Sequence, residues 1–361
     1  MEKWFRENRF LIFFMSLINW GIIGPGSIAH NFADGLNQSS LGKLLAIASK
    51  NDQRRKNFGD QFQIDSSLRF SSYEDLLNCS DIDAVYIATP HTLHAEWSIK
   101  AAGKGKHILC EKPAAVNLIE GQKVIDIVRE AGVFYMEGFM YRCHPQIPGL
   151  MKIIKDNKIG KIKKITSSFG FNMNKVIPES RLFDKKLAGG AILDVGLYPV
   201  SFSRLVAGAV LGKKFLNPLE IKGEARIGET GVDEVASATL KFNNDITAEV
   251  STAILQDMEN KAIIEGSKGF IELDQPWDPG RDGGPYNSKI KINIDEKEEI
   301  IEFKGPEHLF FFEAELASRT ILKQKQEVPH PGMTWEDTLG NLKVLDDWRK
   351  VIGYSLPQDI N

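Results

Sequence analysis

The chain has 361 residues, of which 42% are hydrophobic and 26% are charged, and its formal net charge is −3. This length suffices for about two domains with cores of their own, and the balanced charge excludes the strong basic excess of a nucleic-acid-binding surface. The three cysteines stand at irregular spacing and indicate neither a disulfide framework nor a metal cluster. We therefore expect a cytoplasmic protein without a bound metal and without a nucleic-acid partner.

The N-terminal stretch MEKWFRENRFLIFFMSLI has a charged start and a short apolar run, which superficially fits a secretory signal. No small-residue cleavage site follows it, and the run is shorter than the roughly 20 apolar residues of a membrane span. We expect residues 1–14 to be an extension with no folded role, with Met15 as an alternative natural start. No association with a membrane is expected.

Short apolar runs then alternate with amphipathic stretches up to Met136. The strand-like runs are LINWGII, GKLLAIAS, DAVYIAT, KHILCEK and VFYMEG, and the helix-like stretches between them are SIAHNFADGLNQ, NDQRRKNFGDQF, YEDLLNC, HTLHAEWSIKAAGKG and LIEGQKVIDIVREAG. Strands and helices in alternation are typical of βαβ units. The pattern predicts an α/β fold, a Rossmann-type doubly wound parallel sheet, in a dinucleotide-binding domain over residues 15–137.

The turn after the first strand carries a dinucleotide-binding fingerprint, G-x-G-x-x-A. Gly24 permits the tight turn, Gly26 leaves room for a pyrophosphate, and Ala29 lets the helix pack closely on the strand. The phosphates would lie at the N-terminus of the helix, where unpaired N–H groups and the dipole favour negative charge. An ordinary tight turn is the alternative, but the strand–turn–helix context favours a dinucleotide. The candidate contacts in this turn are Gly24, Pro25, Gly26, Ser27 and Ile28.

The end of the second strand should indicate which nucleotide is bound. An NAD site usually carries an acidic residue about 20 residues further on, which binds the ribose 2′-hydroxyl. Here the strand ends in Ser49 and Lys50, and Arg54 and Arg55 follow, although Asp52 lies close to them. A hydroxyl and nearby cations suit a 2′-phosphate better than a diol. We therefore expect NADP to be preferred, with NAD as the alternative.

Beyond residue 160, strand-like segments separated by polar turns dominate the chain. These segments are KIKKITSSFGFN, IKGEARIG, VASATLKF, ITAEVSTAIL, NKAIIEGSKGFIELD, KIKINID and EIIEFK. The turns predict hairpins, so we expect an α+β domain over residues 138–361 with a large, mostly antiparallel open sheet. One face would pack on helices, and the free face would form a homodimer or homotetramer. The stretch WEDTLGNLKVLDDWRKVIG predicts a C-terminal helix near the domain junction.

Two short segments hold polar residues that are candidates for catalysis. In CEKPAAVN, Lys112 lies at a strand-to-helix junction, and Pro113 favours an extended backbone before it. A solvated loop lysine is the alternative. In GGAILDVGLYPV, Asp194 and Tyr198 are four residues apart and so share one face of a helix, which Pro199 bends or starts. Spacing alone does not distinguish these two residues from the ordinary polar face of a helix.

Together these stretches resemble the Gfo/Idh/MocA family of pyridine-nucleotide oxidoreductases. The resemblance rests on GIIGPGSIAHNF, YIATPHTLHAE, CEKPAAVN, EGFMYRCHPQ and GGAILDVGLYPV, in that order, and the strand-rich remainder is similar to the family's second domain. The nearest similarity is to the branch with glucose-fructose oxidoreductase, NADP-dependent xylose dehydrogenases and dimeric dihydrodiol dehydrogenases. The chain has MYRCHP where that branch tends to carry a tryptophan or other bulky residues, which leaves the size of the substrate open.

The resemblance implies a role for each catalytic motif. The lysine of E-K-P, here Lys112 beside Glu111, would lie next to the nicotinamide and the substrate, with a cis bond before Pro113. Asp194 and Tyr198 match the motif D-x-G-x-Y. Tyr198 is then the candidate acid/base that exchanges the hydroxyl proton as hydride moves. Lys112 would lower the pKa of Tyr198 from about 10, and Asp194 would position the substrate hydroxyl or the lysine.

The resemblance also implies cofactor contacts at the T-P-x-x-x-H turn, which holds Thr89, Pro90 and His94. It places Arg142, in YRCHP, near the cofactor or the substrate. For His94 and its neighbour His91, capping and packing of a helix are the alternative. For Arg142, a structural salt bridge is the alternative.

The combined features predict an enzyme. We expect an NADP-preferring oxidoreductase that transfers hydride between the nicotinamide and a carbinol carbon of a sugar or related vicinal diol. A non-catalytic, dinucleotide-binding sugar sensor is one alternative, and a lyase or glycosidase with a retained nicotinamide cofactor is another. The set of Lys112, Asp194 and Tyr198 argues against the sensor, because a sensor needs no tuned acid/base. In the loop DQPWDPGRDGGPYN, Trp277 would stack on a sugar or, as we rather expect, anchor the loop.

Overall fold

The computed structural model describes residues 17–281 and 284–360, so the predicted extension, residues 1–14, lies outside the described residues. Within them the chain forms two sheets with helices packed on them. One stretch of this part of the chain, Lys185–Val210, is long and apolar enough to cross a membrane, but its 18-residue apolar window is wholly buried inside the protein.

Six strands form the first sheet: β1 (Ile18–Ile23), β2 (Gly42–Ala48), β3 (Arg69–Phe70), β4 (Ala84–Ile87), β5 (His107–Glu111) and β6 (Tyr135–Gly138). Their spatial order is β3-β2-β1-β4-β5-β6, and every neighbouring pair is parallel. The central strands are almost entirely buried, which explains why they are continuous apolar runs rather than alternating ones. The predicted doubly wound parallel sheet is confirmed.

Five helices connect these strands: α1 (Ser27–Leu36), α2 (Asp52–Gln61), α3 (Tyr73–Asn78), α4 (His94–Gly103) and α5 (Leu118–Ala131). Three of them begin at a side chain that accepts a backbone N–H of the first turn, a standard N-cap. These caps are Asn51 for α2, Ser72 for α3 and Asn117 for α5. By contrast, α1 begins at Gly26, which offers no side-chain cap, so N–H groups at its N-terminus remain available for a ligand.

Eight strands form the second sheet: β7 (Ile162–Gly170), β8 (Glu220–Ile227), β9 (Asp233–Lys241), β10 (Thr247–Ala253), β11 (Ala262–Gly266), β12 (Gly269–Leu273), β13 (Tyr286–Ile294) and β14 (Lys297–Gly305). Their order is β14-β13-β12-β11-β7-β10-β9-β8. All neighbours are antiparallel except β7 and β10, which are parallel. The predicted mostly antiparallel sheet, and with it the α+β class of this half, is confirmed.

The second half of the chain also contributes helices α6 (Met140–Cys143), α7 (Gln146–Lys155), α8 (Leu197–Val210), α9 (Leu309–Leu322) and α10 (Trp335–Val351). A π-helical turn, Ile192–Gly196, leads directly into α8. Pro199 lies just after the change from π-helical to α-helical turns, inside a helical stretch that is continuous from Ile192 to Val210. The predicted helix start close to Pro199 is thus the start of the α-helical turns only.

Helices α9 and α10 return to the first sheet after the second sheet is complete. Helix α9 packs on α1, and the indole N–H of Trp20 in β1 donates to Ser318 Oγ of α9 at 3.0 Å. Helix α10 packs on both α5 and β8, and so contacts both halves of the chain. The carboxyl ends of β4 and β5 consequently face the N-terminal part of α8, and the candidate site lies there.

Candidate active site

The turn between β1 and α1 has the shape that a dinucleotide requires. Gly24 has a φ of 91°, and a Cβ there would meet the carbonyl oxygen of Ala88 at 2.9 Å. A Cβ on Gly26, by contrast, would point into open space. Nearby, Thr89 Oγ1 is buried without a hydrogen-bond partner among the described residues. The open space at Gly26 and the uncapped start of α1, with Ser27 and Ile28, fit a pyrophosphate.

The end of β2 presents a hydroxyl and cations, as the sequence predicts. Arg55 is already engaged, because its guanidinium donates to the Ser49 carbonyl oxygen at 2.6 Å and to Asp52 Oδ1 at 2.7 Å. Arg55 therefore braces the strand end. Lys50 and Arg54 are exposed beside it. Asp52, the one acidic residue near this strand end that could have indicated NAD, is paired with Arg55 at the start of α2.

His94 joins the two segments that carry the predicted cofactor contacts. One ring nitrogen lies 2.8 Å from the carbonyl oxygen of Thr89, and the other lies 2.7 Å from that of Pro113. Burial lowers the pKa of His94 to about 4, so the ring is neutral and donates to only one of the two oxygens. The bond between Lys112 and Pro113 is cis. His94 thus positions both the Thr89–Pro90 turn and the E-K-P segment.

Lys112 and Asp194 meet although they are far apart in the sequence. The ammonium of Lys112 donates to the backbone carbonyl oxygen of Asp194 at 2.7 Å and lies 3.6 Å from its carboxylate. Arg181, from the connection between β7 and the π-helical turn, donates to Asp194 Oδ1 at 2.7 Å. Burial alone would raise the pKa of Asp194, but the charges of Lys112 and Arg181 outweigh burial and lower it. Asp194 is therefore an ionised, immobilised carboxylate.

His91 completes the surroundings of Asp194. Its Nε2 lies 3.9 Å from Asp194 Oδ1, and its Nδ1 is 3.3 Å from the carbonyl oxygen of Ala188. Burial lowers the pKa of His91 to about 3, so it contributes a neutral ring. It lies beside the predicted catalytic set rather than capping α4.

Tyr198 is buried above the E-K-P segment. Its hydroxyl donates to Met140 Sδ at 3.1 Å, and the ammonium of Lys112 lies 5.5 Å from the centre of its ring. Burial, followed by the charge of Glu111, raises the pKa of Tyr198 well above its ordinary value. The expectation that Lys112 lowers this pKa is therefore not met, because burial and the charge of Glu111 act in the opposite direction. Tyr198 is accordingly held as a phenol.

Two buried carboxyl groups lie close to Tyr198. Tyr86 donates to Glu111 Oε1, and the backbone N–H of Lys112 donates to Glu111 Oε2 at 3.2 Å. Glu313 of α9 is fully buried, and neither of its oxygens has a hydrogen-bond partner among the described residues. Burial, and then the charge of Glu111, raises the pKa of Glu313 well above its ordinary value. Glu313 is therefore held as a neutral acid.

Arg142 does not join this site. Its guanidinium donates to Asp337 Oδ2 at 2.7 Å, to the carbonyl oxygen of Pro331 at 2.7 Å and to Ser201 Oγ at 2.9 Å. It is 1% exposed, and Asp337 also accepts from Arg204 at 2.6 Å. The structure therefore places Arg142 in a buried ion pair, the structural alternative considered for it, and we leave it out of the proposed site.

Trp277 also has a structural position. It is fully buried, and its indole N–H donates to the carbonyl oxygen of Ser168 at 2.8 Å. Its ring lies 6.0 Å from that of Tyr198, centre to centre. Trp277 therefore anchors its loop, as we expected, and offers no open face to a sugar.

Three residues near the reacting groups had no recognisable signal in the sequence. Arg181 is one of 45 lysines and arginines, and it precedes the motif of Asp194 by 13 positions. Tyr86 lies within an apolar strand, and Glu313 lies on a helix that the sequence reading did not delimit. Only the tertiary fold brings them to the site.

Glu137, at the end of β6 and close to the site, makes the free energy of unfolding depend on pH. It accepts from the Ala114 N–H at 2.9 Å and from the Thr338 hydroxyl at 2.8 Å, and burial raises its pKa to about 7. The unfolded side chain titrates near pH 4.3, so the folded state binds more protons between about pH 4 and pH 7. The contribution of Glu137 to stability is thus greatest below that window and falls as the pH rises through it.

We expect Glu137→Gln to remove this part of the pH dependence. The free energy of unfolding should fall less between about pH 5 and pH 8 than in the wild type, by roughly 2 kcal/mol. Denaturant unfolding at several pH values measures it, with exposed Glu130→Gln on α5 as the control. Parallel pH curves for the wild type and Glu137→Gln would contradict the assignment.

Comparisons with known proteins show similarity in both halves of the chain. Residues 18–139 match the oxidoreductase family with an NAD-binding Rossmann fold, and residues 149–272 match the GFO/IDH/MocA C-terminal domain. The chain is 30% identical over 342 residues to a trans-1,2-dihydrobenzene-1,2-diol dehydrogenase of Xenopus tropicalis, covering 94% of this chain and 99% of the relative. The enzyme of the same name from Mus musculus is 29% identical over 350 residues, covering 95% and 99%.

Solved structures are similar over almost the whole chain. A 3-ketoreductase from Actinomadura kijaniata, in complex with NADP and TDP-benzene, has a TM-score of 0.79 at 27% identity, covering 93% of this chain and 98% of its own. An aldose-aldose oxidoreductase from Caulobacter crescentus, complexed with glycerol, has a TM-score of 0.81 at 21% identity, covering 94% and 98%, and supports the fold alone. The expected enzyme class is confirmed as an NAD(P)-dependent oxidoreductase. The chain belongs to the Gfo/Idh/MocA family.

Proposed function

We propose that the protein is an NADP-preferring dehydrogenase that acts on a carbinol carbon of a vicinal diol or a sugar, with Lys112, Asp194 and Tyr198 at the reacting centre. The observation that carries the proposal is the meeting of these three side chains at the carboxyl end of the parallel sheet, next to the glycine turn. The dihydrodiol dehydrogenases and the NADP-bound ketoreductase support the substrate class and the cofactor.

Different residues of the chain would bind the cofactor and position the catalytic groups. The turn at Gly24–Ile28 would hold the pyrophosphate, and Ser49, Lys50 and Arg54 would hold the 2′-phosphate. When bound, the nicotinamide supplies the hydride acceptor or donor. Lys112 keeps Asp194 ionised and in place, and the cis segment before Pro113 is held by His94.

Tyr198 would exchange the proton at its hydroxyl oxygen. Because its resting form is the phenol, Tyr198 carries the proton that the oxygen of a carbonyl substrate would take up during reduction. Oxidation of an alcohol needs the phenolate instead, which a rising pH favours. The proposal therefore includes oxidation rates that rise with pH, and reduction rates that stay level until the pH approaches the raised pKa of Tyr198.

Assay of reduced-nicotinamide absorbance tests the proposal. Purified protein would be mixed with NADP and a panel of cyclic trans-diols, aldoses and simple secondary alcohols. Turnover of a diol or sugar supports the dehydrogenase. Tight binding of NADP without turnover of any compound in the panel would contradict the proposal and favour the sugar sensor or the enzyme with a retained cofactor. The family relatives do not favour these two alternatives.

The preference for NADP yields a separate prediction. Replacing Lys50 and Arg54 together by alanine should weaken the binding of NADP by about 10- to 100-fold, because charged hydrogen bonds to the 2′-phosphate are lost. The binding of NAD should change little. Fluorescence titration with both reduced cofactors measures it, with exposed Lys56→Ala on α2 as the control. An equal loss for both cofactors would contradict this assignment.

We also propose that the protein forms homodimers or homotetramers in the cytoplasm through the open face of the second sheet. On that face, strands β7, β9 and β10 carry small polar side chains around the exposed ion pair of Lys164 and Glu249, and small side chains allow a flat surface to approach a second copy. These side chains are Thr166, Ser168, Ser237, Thr239 and Ser251. Sedimentation velocity of the wild type and of Thr239→Arg tests this, and a monomeric wild type would refute it.

The cysteines Cys79, Cys110 and Cys143 are free, as a reducing compartment favours.

A further inference from the structure

Arg181 is fixed beside the reacting centre by two glycines. The connection from β7 folds back so that the carbonyl oxygens of Arg181 and Leu182 would lie 2.8 and 2.5 Å from a Cβ on Gly189. The N–H of Gly190 donates to the Leu182 carbonyl oxygen at 2.9 Å, and Gly190 has a φ of 114°. Glycine tolerates the close approach at position 189 and the positive φ at position 190. The glycine pair therefore fixes the backbone that carries Arg181, and the contact with Asp194 holds its guanidinium.

The contacts on Asp194 are unevenly shared between its two oxygens. Arg181 at 2.7 Å, Lys112 at 3.6 Å and His91 at 3.9 Å all approach Oδ1. Within the described residues, the hydrogen bond to the carboxylate of Asp194 is made at Oδ1, which leaves the lone pairs of Oδ2 to accept a hydroxyl. A carboxylate accepts at both oxygens, so its capacity on this side is unused by the protein.

Arg181 likewise has capacity that the protein does not use. Its guanidinium has five N–H donors, and the contact with Asp194 is made through Nη1. The side chain remains 50% exposed, whereas that of Asp194 is 4% exposed. A donor that faces solvent therefore lies directly beside a buried acceptor.

We propose that Arg181 is a specificity-determining residue that selects substrates with two adjacent oxygens. Asp194 Oδ2 accepts the hydroxyl at the carbon that is oxidised, and a free N–H of Arg181 donates to the oxygen on the neighbouring carbon. Vicinal diols, aldoses and α-hydroxy carbonyl compounds meet this requirement, and simple secondary alcohols do not. This inference rests on the proposed function, and it adds the feature by which the substrate is recognised.

A matched pair of substrates tests the inference. The vicinal diol that the wild type oxidises best, for example trans-cyclohexane-1,2-diol, would be compared with the mono-alcohol of the same ring, cyclohexanol. In Arg181→Gln, we expect kcat/KM for the diol to fall by about 10- to 100-fold, mainly through KM, and that for the mono-alcohol to change by less than about threefold. Binding of NADPH, followed by fluorescence, should be unchanged.

Two further variants separate the roles of charge and geometry. Arg181→Lys keeps the positive charge beside Asp194 but lacks the planar fork, so it should lose the preference for the diol while the pH dependence of mono-alcohol oxidation stays that of the wild type. Arg319→Gln on α9 removes a similarly exposed arginine that pairs with Glu315, and it should leave kcat/KM unchanged for both substrates. Thermal melts check that each variant is folded.

The outcomes discriminate between the proposals. An equal loss for the diol and the mono-alcohol would mean that Arg181 acts only by keeping Asp194 ionised, and would overturn the inference. So would an unchanged diol preference in Arg181→Gln. A wild type that binds NADPH yet oxidises neither diols nor sugars would overturn the proposed function and this inference with it.

Discussion

Replacing Tyr198 by phenylalanine is expected to lower kcat by about 100- to 10,000-fold in both directions, the usual contribution of a positioned acid/base. The substitution removes only the hydroxyl that would exchange the proton. The ring would keep its surroundings, since it packs among other aromatic rings at centre distances of 5.1 to 6.0 Å, those of Phe139, Tyr141, Phe169 and Trp277. Stability should therefore change by less than about 1 kcal/mol, because the lost hydrogen bond to sulfur is weak.

Tyr141 provides the matched control for this experiment. It is another buried tyrosine, its ring lies 5.7 Å from that of Tyr198, and its hydroxyl donates to Ser201 Oγ at 2.9 Å. Tyr141→Phe should keep kcat within a few-fold, since this hydroxyl bonds within the protein. Steady-state kinetics over a pH range and NADPH titration measure both variants. If Tyr198→Phe kept more than about a tenth of kcat, well above the loss expected for an acid/base, another residue must exchange the proton.

The second large effect is expected on stability. Asp337 lies between two arginines that are also fully buried, accepting from Arg142 at 2.7 Å and from Arg204 at 2.6 Å. Asp337→Asn removes the negative charge and leaves both guanidinium groups buried without it. Removing one partner of a buried ion pair typically costs about 3–5 kcal/mol. We expect a loss of that size in the free energy of unfolding, because α6, α8 and α10 meet at this network.

Denaturant unfolding with an unchanged m-value measures the loss. The control is Asp347→Asn on the same helix, where the aspartate pairs with Lys343 at 2.8 Å in an exposed position. That variant should lose less than about 0.5 kcal/mol, as exposed pairs on a helix do. Equal losses in the two variants would show that the buried network adds no more than a surface pair.

The fold was largely predictable because its signals are local. The alternation of apolar runs with amphipathic stretches predicted the parallel sheet, and the polar turns predicted the antiparallel one. The glycine turn at Gly24 and Gly26 could be recognised for the same reason, since the strand, the turn and the helix follow one another directly in the chain. The family assignment, which rests on several such motifs in order, is confirmed.

The same local reasoning was less informative about Arg142. Its motif indicated a cofactor contact, yet its partner is Asp337, 195 residues further along the chain. Helix α10 brings that partner back to α6 only after the second sheet is complete. Motif resemblance identified the residue, and a long-range contact decided its role.

By itself, the sequence determined the two sheets, the dinucleotide turn, the candidate residues Lys112, Asp194 and Tyr198, and the class of reaction. Each of these follows from residues close together in the chain or from motifs in a fixed order. Only the tertiary structure decided that Arg181 contacts Asp194 and that the pKa of Tyr198 rises rather than falls. The physical reason is that burial and charge act through space, so a pKa depends on which distant side chains the fold brings together.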